Sequence, residues 1–212
     1  MSLERILNLE QRSGPMEQQT GKGYTRSTRM DGAWVIDGAY LLKAAPGIFD
    51  YMKLKSELER RAGGPFRESY FLNTVSTYGD AAQDRFHEWL QHMPPTGPGM
   101  QVRLYTTKQM HGTCEHCGQS YSRDVQKGVD VGLATLLLRL APDYDRLVLS
   151  AGDGDLADAI QGIVADYSTQ VVVAGFRGSV SRGLLEAGAK ALFIDEFWSS
   201  VERPDVQHYR GF

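Results

Sequence analysis

The chain has 212 residues, a length that fits one large domain or two small ones. Hydrophobic residues make up 42% and charged residues 23% of it, an ordinary balance that excludes a disordered, collagen-like or disulfide-stapled protein. The net charge is −3, so any binding to nucleic acid must come from local basic patches, because the molecule as a whole does not attract a polyanion.

The chain carries no signal of a membrane or secretory protein. Its apolar runs are all far shorter than the roughly 18 residues that a membrane span needs. Residues 1–20 are mostly polar and lack the apolar stretch of a signal peptide. Cys114 and Cys117 are the only cysteines, which suits a reducing compartment. We therefore expect a soluble, cytoplasmic protein with no membrane partner.

The two ends of the chain differ in character from its middle. Residues 1–32 form a polar and basic extension, and residues 198–212 are interpreted as a C-terminal tail. Within the extension, residues 22–29 carry basic side chains and no acid. This segment is either a solvated tail or an arm that contacts phosphates, with Tyr24 available for stacking on a base.

Between residues 33 and 197, short apolar runs alternate with segments of helical periodicity. The apolar runs are continuous, which is typical of parallel strands covered on both faces. The pattern predicts strands at 33–37, 68–75, 101–106, 146–150, 170–176 and 191–197, helices at 47–61, 80–93, 128–140, 156–166 and 180–187, and an insertion at 108–126 that carries both cysteines. The predicted fold class is α/β, a three-layer α/β/α sandwich with a mainly parallel central sheet.

Four aspartates fall where ligands bind in such sheets, beyond the carboxyl ends of the strands. Asp37 ends the first strand, Asp153 and Asp155 follow the fourth, and Asp130 lies in the first turn of a helix. Each alone has an ordinary explanation as a helix cap or a turn residue. Together, neighbouring carboxylates repel one another, and a divalent cation relieves that repulsion. Oxygen ligands of this kind select Mg²⁺ or Mn²⁺.

Four segments in this order resemble a known family: Val35-Ile36-Asp37-Gly38, Lys127-Gly128-Val129-Asp130-Val131, Ser150-Ala151-Gly152-Asp153-Gly154-Asp155 and Gly175-Phe176-Arg177-Gly178-Ser179. The chain is similar over residues 33–197 to the NYN domain of the LabA/DUF88 type, a branch of the PIN-like nucleases. This resemblance implies a metal-dependent ribonuclease. The aspartates implied as metal-binding and catalytic are Asp37, Asp130, Asp153 and Asp155. Asp37 and Asp153 are the expected direct ligands of Mg²⁺ or Mn²⁺.

Two positions depart from the pattern of this family. Tyr40 stands where many relatives have an asparagine, and Leu136 stands where many have a second acid. Losing an amide or a carboxylate near a metal weakens its binding. Asp158, one helical turn after Asp155, is a candidate to compensate. A catalytically weakened domain that only binds RNA or protein is therefore an open alternative.

If the chain is a nuclease, its substrate is RNA, either single-stranded or structured. The candidates to hold the RNA backbone are Lys127, Arg177, Arg182 and Ser179. Ser179 is expected to open a helix, where free backbone N–H groups can receive a phosphate. The alternatives are a simple helix cap for Ser179 and a solvated helix face for Arg182. A third reading, a phosphatase with a nucleophilic aspartate, is disfavoured because Asp37-Gly38-Ala39 lacks a second acid.

The insertion contains half of a zinc-binding pattern. Cys114 and Cys117 have the usual two-residue spacing, but a closed zinc site needs four ligands. One interpretation is a structural Zn²⁺ completed by His111, by a distant residue or by a second subunit, which leaves a homo-oligomer open. The others are a metal-free knuckle and a redox-active dithiol.

Overall fold

The protein, analysed as a computed structural model, is described over residues 31–76, 79–125 and 128–204. The eight strands within these ranges are β1 (Ala33–Asp37), β2 (Glu68–Val75), β3 (Gln101–Thr106), β4 (Lys108–Thr113), β5 (Ser120–Val125), β6 (Arg146–Ser150), β7 (Gln170–Gly175) and β8 (Lys190–Phe193). Six of them form one sheet in the order β3-β2-β1-β6-β7-β8. Every neighbouring pair in that sheet is parallel. The predicted parallel sheet is confirmed.

Helices cover both faces of the sheet, because the strands are apolar on both sides. Along β1, Ala33 and Val35 pack into one core, while Trp34 and Ile36 pack into the other. The helices are α1 (Gly38–Ala44), α2 (Tyr51–Ala62), α3 (Ala81–Gln91), α4 (Val129–Leu140), α5 (Ala157–Tyr167), α6 (Arg182–Glu186) and α7 (Trp198–Val201). Buried residues of α4, α5 and α6 belong to the first core, and those of α1, α2, α3 and α7 to the second. This arrangement confirms the α/β/α sandwich.

Several predicted element boundaries are wrong. The helix predicted from residue 47 begins at Tyr51, because the Asp50 side chain accepts hydrogen bonds from the backbone N–H groups of Met52 (2.9 Å) and Lys53 (3.1 Å) and so caps it. The strand predicted at 191–197 ends at Phe193, and a 3₁₀ turn, Ile194–Phe197, follows. Both ends of that turn are buried, so its apolar residues belong to the core without being a strand.

The insertion at 108–126 contains a hairpin. Strands β4 and β5 are antiparallel, in a register that runs from Lys108 opposite Val125 to Thr113 opposite Ser120. They form a separate two-stranded sheet. The hairpin connects β3, at the edge of the central sheet, to α4.

The ordered core continues beyond residue 197. Val201 of α7 is fully buried, and Phe49 forms an antiparallel bridge with Glu202. The basic arm at 22–29 and Lys127 lie outside the described residues. Within the described ranges, none of the helices combines the length and apolar character needed to cross a bilayer.

Candidate active site

The candidate site lies where the strand order of the central sheet reverses. The chain runs from β1 outward to β2 and β3, and then returns to the other side of β1 and runs from β6 outward to β7 and β8. Asp37 is the last residue of β1, and Asp153 follows the end of β6 by three residues. Ligands bind at such a reversal point in open α/β sheets, beyond the carboxyl ends of the strands. The topology therefore brings these two predicted residues to neighbouring strand ends.

Asp37 is the half-buried member of the group. Its Oδ1 atom accepts a hydrogen bond from the backbone N–H of Tyr40 (3.1 Å), so Asp37 is the N-cap of α1. Burial raises the pKa of the Asp37 carboxyl, and the negative charges of Asp130 and Asp153 raise it further, against the hydrogen bonds from the backbone of Tyr40 and Ala39. The carboxylates of Asp130 and Asp153 are therefore close enough to act on Asp37.

Asp130 and Asp153 are exposed and reach the site from different elements. Asp130 lies in the first turn of α4, which Gly128 precedes with a positive φ of 92°. The side chain of Asp153 accepts a hydrogen bond from the backbone N–H of Asp155 (3.0 Å) and caps a 3₁₀ turn, Gly154–Leu156. Asp155 lies in that turn and is also exposed.

The chemistry of this acidic group fits a hard divalent cation. The donors are carboxylate oxygens, which such cations prefer. A bound cation would favour the charged form of Asp37, which burial and the charges of Asp130 and Asp153 disfavour. Over residues 31–76, 79–125 and 128–204, the side chains do not form a group of three or more acids, histidines or cysteines arranged to hold a metal. The three aspartates thus share an electrostatic environment without standing in coordination geometry.

Tyr40 forms hydrogen bonds to the loop that follows β7, beside these acids. Its hydroxyl is hydrogen-bonded to Oγ of Ser179 (2.7 Å) and accepts a hydrogen bond from the backbone N–H of Phe176 (3.3 Å). A Cβ atom at Gly152 would collide with the Tyr40 ring, and a Cβ atom at Gly175 would collide with the Tyr40 hydroxyl. Tyr40 therefore fills space beyond β6 and β7 and connects α1 to the loop after β7.

Ser179 does not open a helix, contrary to the expectation from the sequence. Helix α6 begins at Arg182, after Ser181. The Ser179 N–H donates to the carbonyl of Phe176 (3.1 Å), and its hydroxyl donates to the same carbonyl (2.8 Å), so these groups close a turn. The Ser181 N–H donates to the carbonyl of Gly152 (2.9 Å). This segment joins the β6 and β7 loops to each other.

The two predicted arginines each lie beside a glutamate. Arg177 pairs with Glu196 (2.6 Å), and its guanidinium lies over the ring of Phe193, 4.3 Å from the centroid. Arg182 pairs with Glu186 (2.7 Å) one turn along α6. Both arginines are well exposed, so each pair is weak and open to exchange with a phosphate.

Sequence reasoning missed part of this neighbourhood. The side chain of Asp195 accepts a hydrogen bond from the backbone N–H of Arg177 (2.8 Å), and Glu196 pairs with the Arg177 side chain. Both acids follow β8 in the turn Ile194–Phe197. They were missed because the predicted strand extended to residue 197. Leu136, the second departure from the family pattern, lies on the buried face of α4 and packs into the first core.

The parallel α/β/α sandwich, with acids at its reversal point, is consistent with the PIN-like class of nuclease domain. Within that class the NYN domain matches residues 33–195, and the chain belongs to the NYN domain family. This is a family of PIN-like nucleases.

Comparison with solved structures finds the same fold in a protein of unknown function, VPA0982, from Vibrio parahaemolyticus. The two share 24% sequence identity with a TM-score of 0.60, over 79% of this chain and 94% of the other. The FMN-dependent cysteine decarboxylase TvaF of thioviridamide biosynthesis is only weakly similar, with 11% identity and a TM-score of 0.30 over 82% of this chain and 94% of that one. Comparison with curated proteins finds no match.

Proposed function

We propose that this NYN domain is a ribonuclease of the LabA/DUF88 type that hydrolyses RNA phosphodiester bonds with Mg²⁺ or Mn²⁺. The residues that would hold the cation are Asp37, Asp130, Asp153 and Asp155. The observation that carries the proposal is the placement of Asp37 and Asp153 after the neighbouring parallel strands β1 and β6, where the charges of Asp130 and Asp153 both act on the Asp37 carboxyl. A cation among carboxylates would supply an activated water and stabilise charge on the phosphate.

Hydrogen bonds from neighbouring residues hold the carboxylates of the site in position. Asp37 is held at the end of β1 by the Tyr40 N–H, and Asp153 is held after β6 by the Asp155 N–H. These hydrogen bonds restrict both carboxylates to orientations that the backbone sets. Tyr40 and Ser179 keep the neighbouring loop close to them. The site is thus built from a strand end, a helix start and a capped turn, and these elements favour precise positioning.

The substrate that we propose is a short stretch of single-stranded or structured RNA. The net charge of −3 argues against a long duplex, which needs a wide basic surface. Arg177 and Arg182 are exposed and are the candidates to hold phosphates, together with Lys127. Each arginine would exchange its glutamate for a phosphate, which costs little because exposed ion pairs contribute at most about 1 kcal/mol. The proposed compartment is the cytoplasm, where thiols such as Cys114 and Cys117 stay reduced.

The test is cleavage of end-labelled RNA by the purified chain in Mn²⁺ and in EDTA. Asp153→Asn and Asp37→Asn should each lower the Mn²⁺-dependent rate by more than the roughly 10–100-fold that loss of an outer-sphere partner costs. Asparagine keeps the oxygen that caps each turn, so both variants should melt like the wild type in Mn²⁺-free buffer or at slightly higher temperature. Asp166→Asn is the matched control, since Asp166 is exposed near the opposite end of α5. Wild-type rates in Asp153→Asn would remove Asp153 from the mechanism.

A second function has support from specific contacts. Tyr40 stands where the family pattern has an asparagine, and its hydroxyl is bonded to Ser179 (2.7 Å), while Leu136 stands where the pattern has a second acid. These features favour a catalytically weakened domain that binds RNA or protein. Retention of RNA in a filter-binding assay, with no cleavage at any Mn²⁺ concentration, would establish this alternative.

A further inference from the structure

The tip of the β4–β5 hairpin is a tight turn that carries both cysteines. Cys114 follows β4, and its N–H donates to the carbonyl of Gln119 (2.9 Å). The Gly118 N–H donates back to the carbonyl of Cys114 (2.8 Å), and Gly118 has a φ of 69°, a left-handed conformation that favours glycine. The backbone therefore folds Cys114 and Cys117 back toward each other at the end of the hairpin.

The turn directs hydrogen-bond donors at one of the two sulfurs. The backbone N–H groups of Cys117 and His116 point at the Cys114 thiol, and the Cys117 thiol is within hydrogen-bonding reach of it. Both thiols are free, and Cys117 is exposed. The two sulfurs therefore lie next to each other at the hairpin tip, and neither is held in a disulfide.

Two convergent sulfurs are half of a tetrahedral zinc site, which is closed by four ligands. The whole chain contains two cysteines, and both are in this turn. On the body of the hairpin, His111 lies opposite Ser122. A second copy of the chain, related by a two-fold axis, would present the same two sulfurs and complete a site of four thiolates. Soft thiolate ligands select Zn²⁺ over the hard cations suited to the aspartates.

Two exposed apolar side chains lie on the hairpin that carries the cysteines. They are Met110 on β4 and Tyr121 on β5. The Tyr121 ring lies across Gly112 on the facing strand, so it covers the surface of the hairpin. Exposed apolar side chains on the same hairpin as the proposed ligands suit a surface that a second copy of the chain covers.

We propose that Cys114 and Cys117 from two copies of the chain bind one Zn²⁺, and that this hairpin is a zinc-dependent dimer contact. Each of the four thiols releases its proton to solvent as it binds, and no oxidant or reductant is involved. The proposal is independent of the aspartates, because the hairpin forms its own sheet.

The test uses the full chain, stripped with chelator and then loaded with Zn²⁺ in reducing buffer. We expect one bound zinc for two chains by elemental analysis. Sedimentation equilibrium should give twice the 23.6 kDa chain mass with zinc and a single chain mass after chelation. Cobalt in place of zinc should give the intense thiolate-to-metal charge-transfer absorption of a site with four sulfurs.

Variants separate the proposed ligands from their neighbours. Cys114→Ser and Cys117→Ser should each abolish zinc binding and leave a monomer, while His111→Ala and His116→Ala should keep both the zinc and the dimer. Far-UV circular dichroism checks that every variant is folded. One zinc in each monomer, no zinc at all, a dimer that survives chelation, or zinc loss in either histidine variant would overturn the proposal.

Discussion

Replacing Tyr40 with phenylalanine tests whether its hydroxyl fastens the loop after β7. The change removes one hydrogen bond to Ser179 (2.7 Å) and one from the backbone N–H of Phe176 (3.3 Å). Ser179 keeps its hydrogen bond to the Phe176 carbonyl (2.8 Å), so the larger loss is the unpaired N–H of a buried residue. An unpaired buried donor costs about 1–3 kcal/mol, and the length of this hydrogen bond favours the lower half of that range.

Tyr51→Phe is a matched substitution that we expect to change the free energy of unfolding in the opposite direction. Its hydroxyl is buried and has no hydrogen-bond partner among the described residues. Burial also raises the pKa of Tyr51 far above its ordinary value. A buried hydroxyl without a partner is a cost to the folded state. Tyr51→Phe should therefore leave the free energy of unfolding unchanged or raise it by up to about 1 kcal/mol.

The assay is urea unfolding followed by circular dichroism, with calorimetry as a second measurement. At about 2–4 °C for each kcal/mol in a domain of this size, Tyr40→Phe should lower the Tm by about 2–8 °C. Tyr51→Phe should match or exceed the wild type, with the same dependence on urea in all three proteins. Equal losses in the two variants, or a loss in Tyr51→Phe alone, would refute the reasoning.

Two further changes test the acids and the core. In EDTA at pH 7, Asp37→Asn should unfold at a higher temperature than the wild type. The pKa of Asp37 is higher in the folded state than in the unfolded chain, so the wild type loses stability as the pH rises through that folded-state pKa. Asparagine carries no charge and avoids this loss. Mn²⁺ at about 100 times its Kd should then stabilise the wild type by about 2.7 kcal/mol and the variant by far less, and equal shifts in a thermal scan would contradict the metal site. Ser150→Ala should cost about 1–3 kcal/mol in urea unfolding, because it leaves the buried Trp34 Nε1–H without its acceptor (3.0 Å). Ser69→Ala is the control and should leave the free energy of unfolding unchanged, since the Ser69 hydroxyl is buried without a partner among the described residues. A loss of stability equal to that of Ser150→Ala would count against this explanation.

The strands were predictable wherever a continuous apolar run coincides with burial on both faces. The run at Val171–Val173 is an example, because every one of its side chains is buried in one of the two cores. The same criterion failed after Phe193, since Ile194 and Phe197 are buried in a 3₁₀ turn instead of a strand. Helix α1 was missed because its seven residues, which begin with glycine, are too short for a periodic pattern.

The positions of the acids were easier to predict than their surroundings. That Asp37 and Asp153 lie at the same edge follows from the parallel sheet, which the alternation of strands and helices predicts. Their place on adjacent strands depends on the order β3-β2-β1-β6-β7-β8, which the structure shows. The pairing of Arg177 with Glu196 joins residues 19 positions apart in the sequence, and no local pattern encodes it. The bond between Tyr40 and Ser179 joins residues 139 positions apart and depends on the folded packing of both loops.

The self-contained pairing of β4 with β5 makes this part of the chain modular. The hairpin enters after the edge strand β3 and shares no ladder with the central sheet. The hairpin can therefore change in length during evolution, or be replaced by grafting, without shifting the register of any core strand. A shift of one residue would turn every side chain of that strand to the wrong face. A new binding specificity could be added at this position while the acidic edge is inherited intact.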